Sequence, residues 1–286
     1  MNTLNPTRKI MNLTFFIALC FQIVACRQDD SKKNTTTTPP QYQPSDSAVF
    51  AAATKDTIPA KLAKTAVDSS SRVIYLTFDD GPLAPTPFLK EIVEEKQVKM
   101  VEFAVGRHYQ ANSKFKNTLE ALKNSPYFEV HNHSYSHAYG RYQHYYSSPQ
   151  GSADDIIRNE DIIGNNSKIV RMPGRCIWAT PTIKRGWSQS GGRTAEILLN
   201  NGFKVYGWDI EWEHYGNTLP KKTPEQFVAQ IDDQFRRQAM VIPNHLVLLG
   251  HDEMLMKERG RDDLRRILDL LIERGYIFEF ISYYPG

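Results

Sequence analysis

The sequence predicts an α/β fold: an irregular (β/α)7 barrel contained in a single domain. First, from residue 71 onward, strand-like runs alternate with helical ones, and this order is typical of parallel strands joined by crossover helices. Second, seven such strands occupy only about 215 residues, which favours one small barrel over two domains. Third, ionisable residues follow five of the strands, where a β/α barrel collects its reactive groups.

Each predicted strand is a short run rich in β-branched and aromatic residues, and each helix has an apolar stripe or a recognisable cap. The first helix is expected to start with Thr86 as N-cap and Pro87 at its first position. Thr223 and Gln226 have the spacing of a capping box for a later helix. The predicted strands cover residues 73–78, 98–105, 128–131, 168–172, 203–209, 246–250 and 276–281. The predicted helices begin near residues 86, 113, 153, 193, 223 and 261.

The N-terminal segment predicts export. Arg8 and Lys9 precede an apolar run that is too short and too interrupted for a comfortable transmembrane helix. Ile23-Val24-Ala25-Cys26 resembles the bacterial lipobox, in which cleavage precedes a cysteine that is then lipidated. We therefore expect a lipoprotein signal peptide at 1–25, a low-complexity tether at 26–70 and the globular domain at 71–286. The alternatives are a plain secretory signal and an uncleaved anchor.

The exported chain is expected to be held on a bacterial membrane through Cys26, at its periplasmic or cell-surface face. Cys20 would be removed with the signal peptide and Cys26 would be lipidated, which leaves Cys176 without a partner. No disulfide framework or cysteine-based zinc site is therefore expected. With 41% hydrophobic residues, 23% charged residues and no basic run, the composition is that of an ordinary globular protein and predicts no nucleic-acid partner. A monomer is expected.

The first strand ends in Asp79-Asp80-Gly81-Pro82, two adjacent carboxylates after a buried apolar run. Buried acids must stay solvated, be paired or bind a metal, so one of them could hold an ion while its neighbour handles a proton. The other strand ends carry His131 and His133, Arg171, Asp209 and His251. Five strand ends with ionisable groups predict an enzyme.

His133 and His137 are four residues apart, so on a helical turn their rings would share a face and could bind one metal ion. Together with one carboxylate of the Asp79-Asp80 pair they form a His-His-Asp set with open coordination positions, as a catalytic zinc site requires.

These motifs resemble the polysaccharide deacetylases of the NodB-homology, carbohydrate esterase family 4 type, over residues 72–286. Thr77-Phe78-Asp79-Asp80-Gly81 is similar to that family's first motif, and residues 133–137 to its second. The resemblance implies that Asp80, His133 and His137 bind the metal and that Asp79 is the base that deprotonates a metal-bound water. Zinc is expected from the ligand types, although cobalt, nickel or manganese would also fit.

The later motifs imply further roles. Leu249-Gly250-His251 resembles the Leu-x-His motif, which would make His251 the acid that protonates the leaving amine. Residues 171–174 resemble the third motif, in which Arg171 would pair with Asp79 and the Gly174 N–H would face the oxyanion. In residues 208–212, either Asp209 or Glu211 would tune Arg171 or His251, and Asp209 is favoured. Aromatic residues are expected to stack on sugar rings: Trp178, Trp187, Trp212 and those of residues 139–146.

The resemblance implies hydrolysis of N-acetyl groups on N-acetylhexosamine units of a polysaccharide such as peptidoglycan or an exopolysaccharide. In the third motif, Met172 and Gly174 replace the usual proline and aromatic residue, which leaves the substrate open. One alternative is an O-acetyl esterase or small-molecule amide hydrolase with the same machinery. Another is a non-catalytic glycan-binding lipoprotein.

Overall fold

The computed structural model describes residues 60–216 and 218–286. The predicted signal peptide, the Cys26 lipidation site and the tether up to residue 59 lie outside the described residues. The described chain is an α/β fold in which a curled, mainly parallel sheet is flanked by helices, as predicted.

The sheet contains all seven predicted strands and three further strands of two residues each. In chain order the strands are β1 Val73–Asp79, β2 Met100–Ala104, β3 Phe128–Asn132, β4 Ile169–Val170, β5 Trp178–Ala179, β6 Lys184–Arg185, β7 Lys204–Val205, β8 Ile210–Glu211, β9 His245–His251 and β10 Ile277–Phe278. The unpredicted strands are β5, β6 and β8, which are too short to show a periodic pattern. The prediction of a strand over 203–209 was too long, since only β7 lies within it.

The helices cover the outer face of the sheet. They are α1 Thr86–Lys96, α2 Gly106–Ala111, α3 Ser113–Asn124, α4 Tyr142–Tyr146, α5 Pro149–Ile162, α6 Gly192–Asn200, α7 Pro224–Arg237 and α8 Glu258–Glu273. The capping box of α7 is confirmed, because Thr223 and Gln226 exchange side-chain and backbone hydrogen bonds. The predicted N-cap of α1 was wrong: Pro85 is the cap, and the hydroxyl of Thr86 instead bonds to Leu83 N and to Asp252.

Strand β1 is the centre of the sheet. It pairs with β9 along its whole length, and on its other edge with β10 and then β2. The strand order is β6-β5-β7-β4-β3-β2-β1-β9-β8, so within the described residues the sheet ends at β6 and β8, and no ladder joins these two end strands. Tyr206 and Gly207 follow β7 in the chain, and their carbonyl groups accept hydrogen bonds from the Arg171 guanidinium.

Alternation along β1 directs its side chains to two apolar layers. Ile74, Leu76 and Phe78 belong to the layer between sheet and helices, whereas Val73 and Tyr75 belong to the layer inside the barrel. Thr77 and Asp79 have the same parity as Val73 and Tyr75. The fold therefore directs Asp79 inward, where its carboxylate meets Arg171.

The folded body begins before the predicted boundary at residue 71. Leu62 packs against the inner apolar layer, and Lys61 donates to the carbonyl groups of Lys123 and Ser125. The buried pair Lys99–Glu279 also holds this segment, because Lys99 donates to Ala63 O and Glu279 accepts from Thr65 N. The segment from residue 61 to residue 65 is therefore part of the domain rather than of the tether.

In residues 60–216 and 218–286, none of the helices is both long enough and apolar enough to cross a membrane.

Candidate active site

Asp80, His133 and His137 come together at the carboxyl ends of β1 and β3. One potential ligand atom from each lies within 4.8 Å of the other two. The Nε2 atoms of His137 and His133 are 2.9 Å and 3.5 Å from Asp80 Oδ1. The predicted helical turn is absent from this stretch, because Ser134 and His137 have φ values of 66° and 51°. A left-handed loop therefore brings the two rings together.

The donor chemistry of these three residues fits a divalent cation. His133 Nδ1 lies 2.8 Å from the Arg171 carbonyl oxygen, which can only accept, so Nδ1 carries the proton and Nε2 presents a lone pair. Asp80 Oδ1 is buried and accepts no hydrogen bond of good geometry from the described residues. Burial alone would raise the pKa of Asp80, but hydrogen bonds and positive charge from the protonated forms of His133 and His137 would hold that pKa well below its ordinary value, so the carboxylate is ionised. Nitrogen and oxygen ligands of this kind are typical of catalytic zinc.

Asp79 forms a buried ion pair with Arg171, as predicted. Arg171 Nη1 donates to Asp79 Oδ1 at 2.9 Å and to Thr77 Oγ1 at 2.6 Å, and the guanidinium also bonds to two backbone carbonyl groups. The second oxygen, Asp79 Oδ2, lies 3.6 Å from His133 Nε2. One oxygen of Asp79 is therefore paired with Arg171, while the other faces the potential metal ligands.

These groups surround a cavity of about 270 Å³. It is lined by Asp79, Asp80, His133, His137, Tyr142, Gly174, Trp208, Glu211, Leu249 and His251. Asp79 and His251 are aligned partners in the β1–β9 ladder, so the expected base and the expected acid face one space from neighbouring strands.

His251 and Gly174 lie in the cavity wall as expected. His251 Nδ1 is buried and has no hydrogen-bond partner in the described chain. Its ring centroid is 5.8 Å from that of His214, whose Nε2 lies 3.1 Å from Glu253 Oε1. Gly174 has a φ of 62°, and a Cβ atom there would lie 3.0–3.1 Å from ring carbons of Tyr142. Tyr142 thus supplies the aromatic surface beside Gly174.

Asp209 forms no hydrogen bond or ion pair with Arg171 or His251 among the described residues, and the charge of Arg171 only weakly lowers its pKa, so a tuning role for Asp209 stays a prediction. Its two carboxylate oxygens each accept a backbone hydrogen bond at 2.8 Å, from Val241 N and Val247 N. Burial raises the pKa of Asp209 to about 6. The alternative acid, Glu211, lines the cavity instead.

Trp212 is a core residue rather than a substrate contact. It is only 1% exposed and packs against Phe78 and Phe227 in the layer between sheet and helices. Trp208, which the sequence analysis did not single out, lines the cavity. Its only sequence signal was its place beside Asp209, because the backbone between β7 and β8 is too irregular for alternation to predict which side chain faces inward.

Two further residues that the sequence indicated, Trp178 and His131, lie away from the cavity. Trp178 is buried in the layer inside the barrel. His131 bonds to Ser167 and Glu129, which accounts for both of its ring nitrogens.

Comparisons with known proteins agree with this fold. The family model described as polysaccharide deacetylase matches residues 66–182. A peptidoglycan-N-acetylglucosamine deacetylase of Bacillus cereus is 29% identical over 217 residues, covering 73% of this chain and 68% of the relative. The catalytic domain of a peptidoglycan N-acetylglucosamine deacetylase from Eubacterium rectale is 25% identical with a TM-score of 0.55, covering 78% of this chain and 94% of that one.

A family 4 carbohydrate esterase from Streptomyces lividans shares the fold at 19% identity, with a TM-score of 0.53 and coverage of 73% of this chain and 92% of that one. The family model spans β1 to β5 and includes Asp79, Asp80, His133 and His137, which line the cavity, and Arg171, which pairs with Asp79. On these grounds the chain is similar to the polysaccharide deacetylases, a family of hydrolases, over residues 66–182.

Proposed function

We propose that the chain is an exported, metal-dependent deacetylase that hydrolyses the N-acetyl amide of N-acetylhexosamine units in a polysaccharide, with peptidoglycan as the first candidate. The observation that carries the proposal is the convergence of three groups on one cavity: a metal-ligand set, an Asp79–Arg171 pair and His251. The names of the Bacillus cereus and Eubacterium rectale proteins support the choice of substrate.

A divalent ion held by Asp80, His133 and His137, zinc by ligand type, would polarise the acetyl carbonyl and lower the pKa of a bound water towards ~7. Asp79 Oδ2 takes the proton of the attacking water, while Arg171 holds Oδ1 and keeps the carboxylate oriented. The Gly174 N–H donates to the oxyanion that develops on the acetyl oxygen. His251 gives a proton to the sugar nitrogen as the C–N bond breaks, so the products are acetate and a free amine.

A lipid anchor at Cys26 would place this activity at the membrane face next to the cell wall. This part of the proposal rests on Ile23-Val24-Ala25-Cys26 and the apolar run before it. Cys26→Ser is expected to move the protein from the membrane fraction to the soluble one. Continued membrane association of that variant would indicate an uncleaved helix instead.

The experiment that tests the activity is acetate release by the full-length protein from N-acetylglucosamine oligomers, intact peptidoglycan and O-acetylated xylan, with and without a chelator. Chelator-sensitive release from the N-acetylated glycans is the expected result. Release from xylan alone would make the protein an O-acetyl esterase. No release from any of them by the zinc-loaded protein would favour a glycan-binding lipoprotein, although such a protein would need neither the base nor the acid that line this cavity.

A further inference from the structure

Two fully buried acids lie directly beneath the loop that carries Asp80. Glu102 is in the middle of β2, and Asp252 follows His251 at the end of β9. Both side chains are fully buried and approach Gly81 so closely that a Cβ atom there would lie 2.1 Å from Glu102 Oε1 and 2.9 Å from Asp252 Oδ2. The two carboxyl groups therefore share one small space below the potential metal site.

In each of these carboxyl groups one oxygen accepts a hydrogen bond, and the other, the orphan oxygen, has no hydrogen-bond partner among the described residues. Glu102 Oε1 accepts from Gly81 N at 2.9 Å, and Asp252 Oδ2 accepts from the Thr86 hydroxyl. Glu102 Oε2 and Asp252 Oδ1 are buried and have no conventional donor among the described residues. Nor does either acid form an ion pair with a lysine, arginine or histidine of that part of the chain. Two ionised carboxylates in such a place would repel each other and lack solvation.

We propose that Glu102 and Asp252 share one proton between their orphan oxygens and that this acid–carboxylate pair positions the metal-ligand loop. One proton satisfies both orphan oxygens, since one carboxyl group becomes the donor and the other the acceptor. Burial raises the pKa of both carboxyl groups, in agreement with a retained proton. The negative charges of Asp252 and Asp79 raise the pKa of Glu102 further, and those of Asp80 and Asp79 raise the pKa of Asp252. The consequence for metal binding rests on the proposed function.

The pair acts on Asp80 through the backbone. Glu102 holds the N–H of Gly81, and Asp252 holds Thr86, whose hydroxyl oxygen accepts from Leu83 N at 2.7 Å. Asp80 itself has a φ of 83°, a left-handed conformation that a non-glycine residue keeps only when its surroundings enforce it. Because Asp252 is also the neighbour of His251, the pair connects the two sides of the cavity. Glu102 and Asp252 are therefore positioning residues.

The first test asks whether the proton is there, and it needs no metal and no substrate. Infrared spectra of the full-length, metal-free protein at neutral pH are compared with those of Glu102→Gln and Asp252→Asn. An amide at either position can donate to the remaining carboxylate and keeps its shape. The wild type is expected to show the stretching band of a protonated, buried carboxylic acid, and each variant is expected to lose it. A wild type without that band, or a band that persists in both variants, would overturn the proposal.

The second test asks whether the pair positions the ligands, with zinc affinity measured by competition with a chromophoric chelator. Glu102→Gln is expected to bind zinc within about threefold of the wild type, because it keeps the bond to Gly81 N. Glu102→Leu, which removes that bond, is expected to bind zinc about 10- to 100-fold more weakly, the usual effect of losing a group that orients a ligand. Glu279→Gln, a buried acid that serves Lys99 and the 61–65 segment, is the control and is expected to leave zinc affinity unchanged.

Wild-type zinc affinity in Glu102→Leu, or an equal loss in Glu279→Gln, would contradict a positioning role. If Glu102→Leu does not fold, the comparison of Glu102→Gln with the wild type and the infrared result still decide whether the pair exists. If the wild type binds no zinc at all, the proposed function fails, whereas the infrared result continues to test the shared proton.

Discussion

The backbone carbonyl of Arg171 accepts a hydrogen bond from His133 Nδ1 at 2.8 Å, while the guanidinium of the same residue holds Asp79 Oδ1 at 2.9 Å. The register of β3 and β4, in which Asn132 lies opposite Val170, brings these residues side by side. One residue thus orients a potential metal ligand through its backbone and the expected base through its side chain. The two functions can be separated, because a substitution removes only the side chain.

Arg171→Lys tests this separation. A lysine keeps the positive charge but cannot reach the four acceptors that the guanidinium satisfies, so buried carbonyl groups at Tyr206 and Gly207 lose their partner. We expect a loss of about 2–4 kcal/mol in the free energy of unfolding, measured by urea denaturation, and a large fall in kcat. Bound zinc, measured by elemental analysis, is expected to remain because His133 is oriented by the backbone. Loss of zinc together with activity would show that the two functions are not separable.

Asp79 and Asp80 are adjacent, but their substitutions are expected to have different effects on metal binding and turnover. Asp80→Ala removes the oxygen on which both histidines converge, so we expect loss of bound metal and of activity. Asp79→Asn keeps an oxygen for Arg171 but cannot take up a proton, so we expect it to retain metal and lose turnover. Metal content and acetate release are measured on the same samples. Full activity in Asp79→Asn would show that Asp79 is not the base.

The surroundings of Gly174 are tested by comparing Gly174→Ala with Gly275→Ala, a substitution at a glycine of similar backbone conformation. Gly174 and Gly275 have φ values of 62° and 73°, so a Cβ atom strains both by about 1 kcal/mol. Only at Gly174 would the new Cβ atom contact an aromatic ring, that of Tyr142, because Gly275 has no heavy atom within 4 Å of that position. Gly174→Ala is therefore expected to lose more stability than Gly275→Ala and to raise KM. Equal stability and unchanged kinetics in both variants would exclude Tyr142 as a close neighbour.

Substitution of Trp208 is expected to affect substrate binding, whereas substitution of Trp212 is expected to affect stability. Trp208 lines the cavity, whereas Trp212 is buried against Phe78 and Phe227. Trp208→Phe is expected to raise KM for glycan substrates with little change in unfolding free energy. Trp212→Phe is expected to lower the unfolding free energy by about 1–3 kcal/mol while KM stays close to that of the wild type. The reverse pattern would restore Trp212 as the substrate contact.

The sequence indicated the site residues that are charged but occupy positions next to buried apolar residues. Asp79 and Asp80 end a buried apolar strand, and the ladder from β1 to β9 then brings His251 beside them. Trp212 was assigned wrongly as a substrate contact, because it follows β8 with the parity of Ile210, and both residues belong to the layer between sheet and helices. Glu102 is a charged residue inside an apolar run, but its partner Asp252 follows β9, 150 residues later in the chain. Spacing along the chain carries no information about such a pair.

The pH dependence of stability tests the structural role of Asp209. An unfolded aspartate has a pKa near ~3.9, and burial raises the pKa of Asp209 in the folded protein to about 6. The folded state therefore binds the proton more tightly, so this stabilisation is fully present below about pH 4 and is lost as the pH rises through about 6. Asp209→Asn lacks this titration.

Urea denaturation of wild type and Asp209→Asn from pH 4 to pH 7 measures the effect. The advantage of the wild type over the variant is expected to shrink by about 2–3 kcal/mol across that range, since one pKa unit corresponds to about 1.4 kcal/mol. Asp154→Asn, at an exposed position of α5, controls for the loss of one charge. If the advantage instead grew with pH, the hydrogen bonds from Val241 N and Val247 N would outweigh burial, and Asp209 would be ionised in the folded protein throughout this range.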